Sequence, residues 1–196
     1  KGIVKRDVVR VITPGTVIES NILDERKNNY LASIYRNGQN FGLAYSDVST
    51  GEFYTTEFSN VSNFSNVLNE LGRFEPAEIV VNSEMFGDKN ALNSITQKFK
   101  TYITRRDEEE DIKDLEGMAK LAQIPYAEDA TKLLFGYIKE TQKIELKHIN
   151  KINAYNSSNY MILDNIARKN LELTENGVAY IKIMDDMMKE ICKDEI

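Results

Sequence analysis

The sequence predicts an α/β protein: one mixed sheet in the order βββαβαβα, followed by an all-α segment of about three helices. Three observations predict it. Residues 30–58 alternate with a two-residue period, broken by the turn pairs Asn37-Gly38 and Thr50-Gly51. After Phe58 the apolar spacing becomes helical, and helical stretches then alternate with short apolar runs. After Pro125 the spacing is helical almost throughout.

The elements follow in order. Residues 8–29 read as a linker, with a turn at Thr13-Pro14-Gly15-Thr16, where Pro presets φ and Gly permits positive φ. Tyr30, Ala32 and Ile34 alternate with Leu31, Ser33 and Tyr35 as a first strand. Asn37-Gly38 is a strong hairpin signal, Phe41–Val48 a second strand and Phe53–Phe58 a third. Phe64, Val67, Leu68 and Leu71 have helical spacing, with Ser59 or Asn60 as caps and Gly72 as the stop. Glu78–Val81 is nearly all apolar, as in a strand buried on both faces. Leu92, Ile95 and Phe99 form a helix after Asp88, Thr101–Thr104 a fifth strand, and Ile112, Leu115, Ala119 and Ala122 a third helix. Ala130, Leu134, Tyr137, Ile138 and Thr141 mark a helix of about 18 residues. After a break at 153–159, Leu163–Leu171 and Ile181–Cys192 read as two more.

The composition bounds the chemistry. The 196 residues carry 25 Lys and Arg against 31 Asp and Glu, a net charge of −6, with 41% hydrophobic and 29% charged residues. The charge is uneven: residues 1–10 and 132–151 are basic, and residues 107–116 strongly acidic. An acidic chain is not a free-standing nucleic-acid binder driven by phosphate neutralisation. The one cysteine, Cys192, lies on an apolar stripe and reads as core, and the one histidine, His148, as a surface residue. Neither can supply a thiolate or multi-histidine metal site. There is no phosphate loop, no apolar run long enough to span a membrane and no secretory leader. The start at Lys1 and the apolar end at Ile196 suggest an excised piece.

Two constellations could carry chemistry. A three-strand meander followed by αβαβ is the layout of ribonuclease H-like nucleases, which hold two Mg²⁺ ions with several carboxylates. The candidates are Asp47, Glu52, Glu57, Glu70 and Glu78, although the first strand offers no acid. Asp47 opens a turn, where Asp is favoured for its bond to the backbone, so the plain structural role weighs more. In the basic helix at 132–151, Lys139, Lys143 and Lys147 are candidate phosphate contacts. A solvated helix face is the simpler reading.

Specific stretches then point further. Asp47-Val48-Ser49-Thr50-Gly51-Glu52-Phe53 resembles the DxSTGEF segment of bacterial MutS-type mismatch repair proteins. Val9–Thr16 is similar to that family's RVxTPGT linker, Tyr137–Lys143 to its YxxETQK helix, and Met161–Leu173 to MxLDxxTRRNLEL. The resemblance implies that residues 1–29 leave the mismatch-recognition domain, that 30–124 form a ribonuclease H-like connector domain, and that 125–196 begin the helical core or lever domain. It implies a non-catalytic piece that links mismatch recognition to the ATPase core and to signalling through a MutL-type partner. The mismatch-wedging motif would lie upstream and the ATP and Mg²⁺ site downstream, so no cofactor is expected in this chain. Mismatched DNA would be met through the whole protein, a homodimer of the cytoplasm and nucleoid. The departures are Ala167 and Lys169 for the family's Thr and Arg, the short acidic stretch 107–124, and residues 177–196, which do not resemble the family's continuation.

Overall fold

A computed structural model describes residues 10–17, 28–61, 64–107, 121–143 and 148–156. All of them belong to one compact unit. The predicted helix at 112–122 falls almost wholly outside these residues, as do the helices at 163–171 and 181–192, the MxLDxx-like segment, Lys147 and Cys192.

Three antiparallel strands open the unit: β1 (Tyr30–Asn37), β2 (Asn40–Asp47) and β3 (Glu52–Phe58). The β1–β2 turn centres on Gly38-Gln39, one residue beyond the predicted pair, because Asn37 is already paired with Asn40. Gly38 takes φ +61°, the sign that tight hairpins require at this place. The chain then forms α1 (Ser65–Phe74) and β4 (Glu78–Val81). Helix α1 starts later than Ser59 or Asn60 predicted and runs through the predicted stop at Gly72. It ends instead at Glu75, in the left-handed conformation with φ 46°, whose N–H donates to the Leu71 carbonyl at 2.8 Å. Gly72 is buried within the helix. A short helix α2 (Ser83–Gly87), capped by the Asn82 side chain on the Met85 N–H, was not foreseen. Helix α3 (Lys89–Lys98) follows Asp88 as expected and is capped by its side chain, and β5 (Tyr102–Arg105) follows.

The sheet order is β5-β4-β1-β2-β3-β6. Strand β2 is antiparallel to both neighbours, while β1–β4, β4–β5 and β3–β6 pair in parallel. Three strands joined by tight turns must alternate in direction, and the helical crossovers that follow return the chain in parallel. Leu31, Ala44, Phe53 and Val80 face one side of the sheet; Ala32, Ile34, Leu43, Tyr45, Ile79 and Val81 face the other. Helices α1, α2 and α3 cover the second side through Val67, Leu71, Met85 and Ile95.

The first side belongs to α4 (Pro125–Gln142), where Pro125 stands at the helix start and Lys143, at φ 51°, ends it. The predicted basic helix to residue 151 therefore stops at Gln142. Residues 125–142, which the resemblance assigns to the following domain, pack against the sheet; most of the expected all-α continuation lies outside the described residues. Leu133, Leu134 and Ile138 are fully buried in the same cluster as Leu31 and Phe53. Each such side chain contributes roughly 1.5–3 kcal/mol when removed from water. The chain then adds β6 (Asn153–Ala154) to the outer edge of β3. Two residues carry no periodicity, so this strand is invisible in the sequence.

Helix α4 lies very close to β2. A Cβ at Gly42 would fall 1.6 Å from the Tyr126 carbonyl oxygen, so only glycine fits beneath the helix start. Small polar residues beside it answer carbonyls of the first turns. Thr55 Oγ1 donates to the Ala127 carbonyl at 3.1 Å and Ser33 Oγ to that of Ala130 at 2.7 Å.

Candidate functional site

The motif-bearing segments meet around α4 and the ends of the central strands. The first meeting point is the Asp47 turn. Asp47 is almost fully buried, and its Oδ1 accepts from the Ser49 N–H at 2.8 Å and the Ser49 hydroxyl at 2.6 Å. Its Oδ2 accepts from the Asn29 N–H at 3.2 Å. The turn closes through the Gly51 N–H on the Asp47 carbonyl, with Gly51 at φ +79°. Against it rests the segment that follows α4: a Cβ on Gly51 would lie 2.5 Å from the His148 carbonyl oxygen, and His148 Nε2 lies 2.9 Å from the Val48 carbonyl. The aspartate, serine and glycine of this motif thus shape a turn that receives a returning chain.

The second meeting point surrounds Glu78. Its carboxylate is 2% exposed, on a strand whose other residues are aliphatic. Three donors converge on it: the Gly15 N–H at 3.1 Å, the Thr104 hydroxyl at 2.8 Å and the Tyr137 hydroxyl at 2.7 Å. They come from the linker turn, from β5 and from α4. Burial, and next the Glu78 carboxylate, push the Tyr137 phenol up to about 12, with Thr13 and Thr104 opposing. The linker turn is closed internally by the Thr13 N–H on Thr16 Oγ1 at 2.9 Å. It is fastened to the end of α4 by the Val11 N–H on the Thr141 carbonyl at 2.7 Å and by Gln142 Nε2 on the Thr16 carbonyl at 3.2 Å. Arg106, which lies across α4 where Gly136 leaves room, pairs with Glu140 at 3.1 Å.

The remaining candidates take other places. Glu52 is the cross-strand neighbour of Asp47 and accepts from the Tyr30 hydroxyl at 3.5 Å. Burial, with Glu52 and Asp47 adding to it, pushes the Tyr30 phenol up to about 12. Glu57 faces the opposite side of the sheet and accepts from the Tyr126 N–H at 3.1 Å, at the positive end of α4. Glu70, on α1, accepts from the Tyr155 hydroxyl at 2.8 Å and from Arg73 at 3.2 Å. Burial raises its carboxyl despite Arg73. The strand alternation puts Asp47 and Glu52 on one face and Glu57 and Glu78 on the other, so the sheet does not gather the five acids. Lys139 is exposed and lies over the Phe135 ring; Lys143 is the exposed residue ending α4.

Sequence reasoning weighed Glu78 as a metal ligand and missed its role as the junction of three elements. A signal was present: an acid in a strand predicted to be buried on both faces must be hydrogen-bonded or paired. Thr104 and Arg106 carried no comparable mark, since their partners lie far away in the chain.

Comparison with known proteins agrees with these motifs. The family model for MutS domain II matches residues 29–150. The chain is 43% identical over 185 residues to the DNA mismatch repair protein MutS of Ruminiclostridium cellulolyticum, covering 89% of this chain and 21% of that protein. It is 42% identical over 188 residues to MutS of Acetivibrio thermocellus, covering 89% and 21%. It is 35% identical over 205 residues to MutS of Methanococcoides burtonii, covering 95% and 23%. The chain thus spans about a fifth of the length of the curated relatives it matches. Matching relatives over nearly all its length and the domain model from β1 through α4, the chain belongs to the MutS family of DNA mismatch repair proteins.

Proposed function

We propose that this chain is the connector of a MutS protein, with a ribonuclease H-like fold and no catalytic role of its own. It would link mismatch recognition, through residues 1–29, to the ATPase-bearing core and to a MutL-type partner. The single observation that carries this reading is the fate of the motif residues. Thr13–Thr16, Asp47–Gly51 and Tyr137–Gln142 spend their polar groups joining the incoming and returning chain to one sheet. The meander followed by parallel crossovers supports the fold assignment. ATP, Mg²⁺ and mismatched DNA would be met by other parts of the whole protein, a homodimer of the cytoplasm and nucleoid. No helix among the described residues is long and apolar enough to cross a membrane.

The test is association with a MutL-type partner, measured by surface-immobilised binding of this chain beside an intact relative. Saturable binding supports the reading. No association under conditions where the intact relative binds would leave the chain a scaffold and remove the signalling part.

The nuclease alternative is tested by incubating the chain with Mg²⁺ or Mn²⁺ and single- or double-stranded substrates. The expected result is no cleavage that depends on Asp47. Cleavage abolished by Asp47→Asn would overturn the non-catalytic assignment. The spending of both Asp47 oxygens on the turn argues against that outcome.

A further inference from the structure

We infer that Glu78 is the positioning residue that latches segment 10–17 onto the sheet, making that segment a rigid strap between the incoming chain and the end of α4. Four observations meet here. The carboxylate is buried and shared, with Oε2 given to the Gly15 N–H and Oε1 to Thr104 and Tyr137. Gly15 is pressed so close that a Cβ there would fall 2.6 Å from Leu31 Cδ1 and 2.9 Å from Glu78 Cβ. Thr16 is fully buried, although it lies in a turn and in no helix or strand. The strap is also bonded at both sides of its turn to the last turn of α4, through Val11 to Thr141 and Thr16 to Gln142.

The consequence is mechanical. A buried carboxylate left short of a donor is costly, so the strap is held as a unit and not residue by residue. Pulling the incoming chain from the sheet removes the Gly15 donor from Glu78 and the two bonds at the end of α4 together. His148, beyond the end of α4 in the sequence, rests against the Asp47 turn. Entry and exit of the domain are therefore coupled through one helical turn. This coupling follows from the contacts alone and does not depend on the connector assignment.

Site-resolved amide hydrogen exchange on the whole chain tests it. In the parent sequence the Gly15 and Val11 amides should exchange slowly, as should those of the buried strand β4. Glu78→Gln keeps an acceptor for Thr104 and Tyr137 but turns an amide N–H₂ toward the Gly15 N–H. It should speed exchange at Gly15 by at least about tenfold while leaving Ile34 and Val80 unchanged. Gly15→Ala leaves the carboxylate in place and displaces the turn. It should speed exchange at Val11 and also at Gln142 and Lys143, which it does not touch. A merely local structural role would not move those last amides. The inference fails if the parent strap exchanges like an unstructured peptide, or if Gly15→Ala frees residues 11–16 with no change at the end of α4. Should Glu78→Gln lower protection everywhere, the Gly15→Ala pattern decides between the two outcomes.

Discussion

Gly42 and Asp47 share strand β2 and show how differently single residues can matter there. Gly42 is needed for what it lacks, since the Tyr126 carbonyl occupies the space of its Cβ. Gly42→Ala should destabilise by about 1–3 kcal/mol or more, as overpacking forces α4 away from the sheet; urea denaturation measures it. Asp47 is needed for its acceptors. Asp47→Ala strands the Ser49 and Asn29 amides and should cost roughly 1–3 kcal/mol by the same measurement. Glu70 adds a pH dependence. Burial holds its carboxyl above the ordinary 4.5, so the folded chain binds this proton more tightly than the unfolded chain. Its contribution to stability therefore increases as pH falls from the folded pKa to 4.5 and is constant below that. Glu70→Gln should remove that rise, read as a flatter plot of urea midpoint against pH across this window.

At the scale of elements, caps explain most of the boundaries. Asp88 accepts from the Asn90 and Ala91 N–H groups and pairs with Arg36, and these contacts, the Ala91 bond foremost, hold its carboxyl below the ordinary 3.8. Asp88→Ala should cost about 1 kcal/mol at neutral pH by loss of the α3 cap. A lowered carboxyl pKa stabilises above 3.8 and loses that effect as pH falls through the folded value. The difference between parent and variant should therefore shrink in acid, seen in paired denaturation curves at pH 7 and below 3.8. Pro125 and Asp88 were legible as helix starts because their effect is local. The end of α1 was not, because a glycine inside a helix and a glycine ending one look alike in sequence. Here tertiary packing buries Gly72 and passes the left-handed turn to Glu75.

The described unit is organised by α4. Its buried face supplies Leu133, Leu134 and Ile138 to the side of the sheet that α1, α2 and α3 do not reach. A chain ending at Ile124 would expose Leu31, Ala44, Phe53 and Val80 to water. It should lose cooperative unfolding and gain binding of a hydrophobic dye, whereas a chain ending at Asn156 should keep a single transition. The sequence by itself determined the meander, the alternation of helix and strand after it, the presence of α4 and the family, because each is written in local periodicity or in contiguous motifs. Only the tertiary structure decided that α4 belongs to the sheet, that β6 closes its edge, and that Glu78 joins linker, strand and helix. Those depend on which surfaces meet across long stretches of chain. Helical spacing marks an apolar face without naming what will cover it, and a lone acid in an apolar strand announces partners without saying where in the chain they lie.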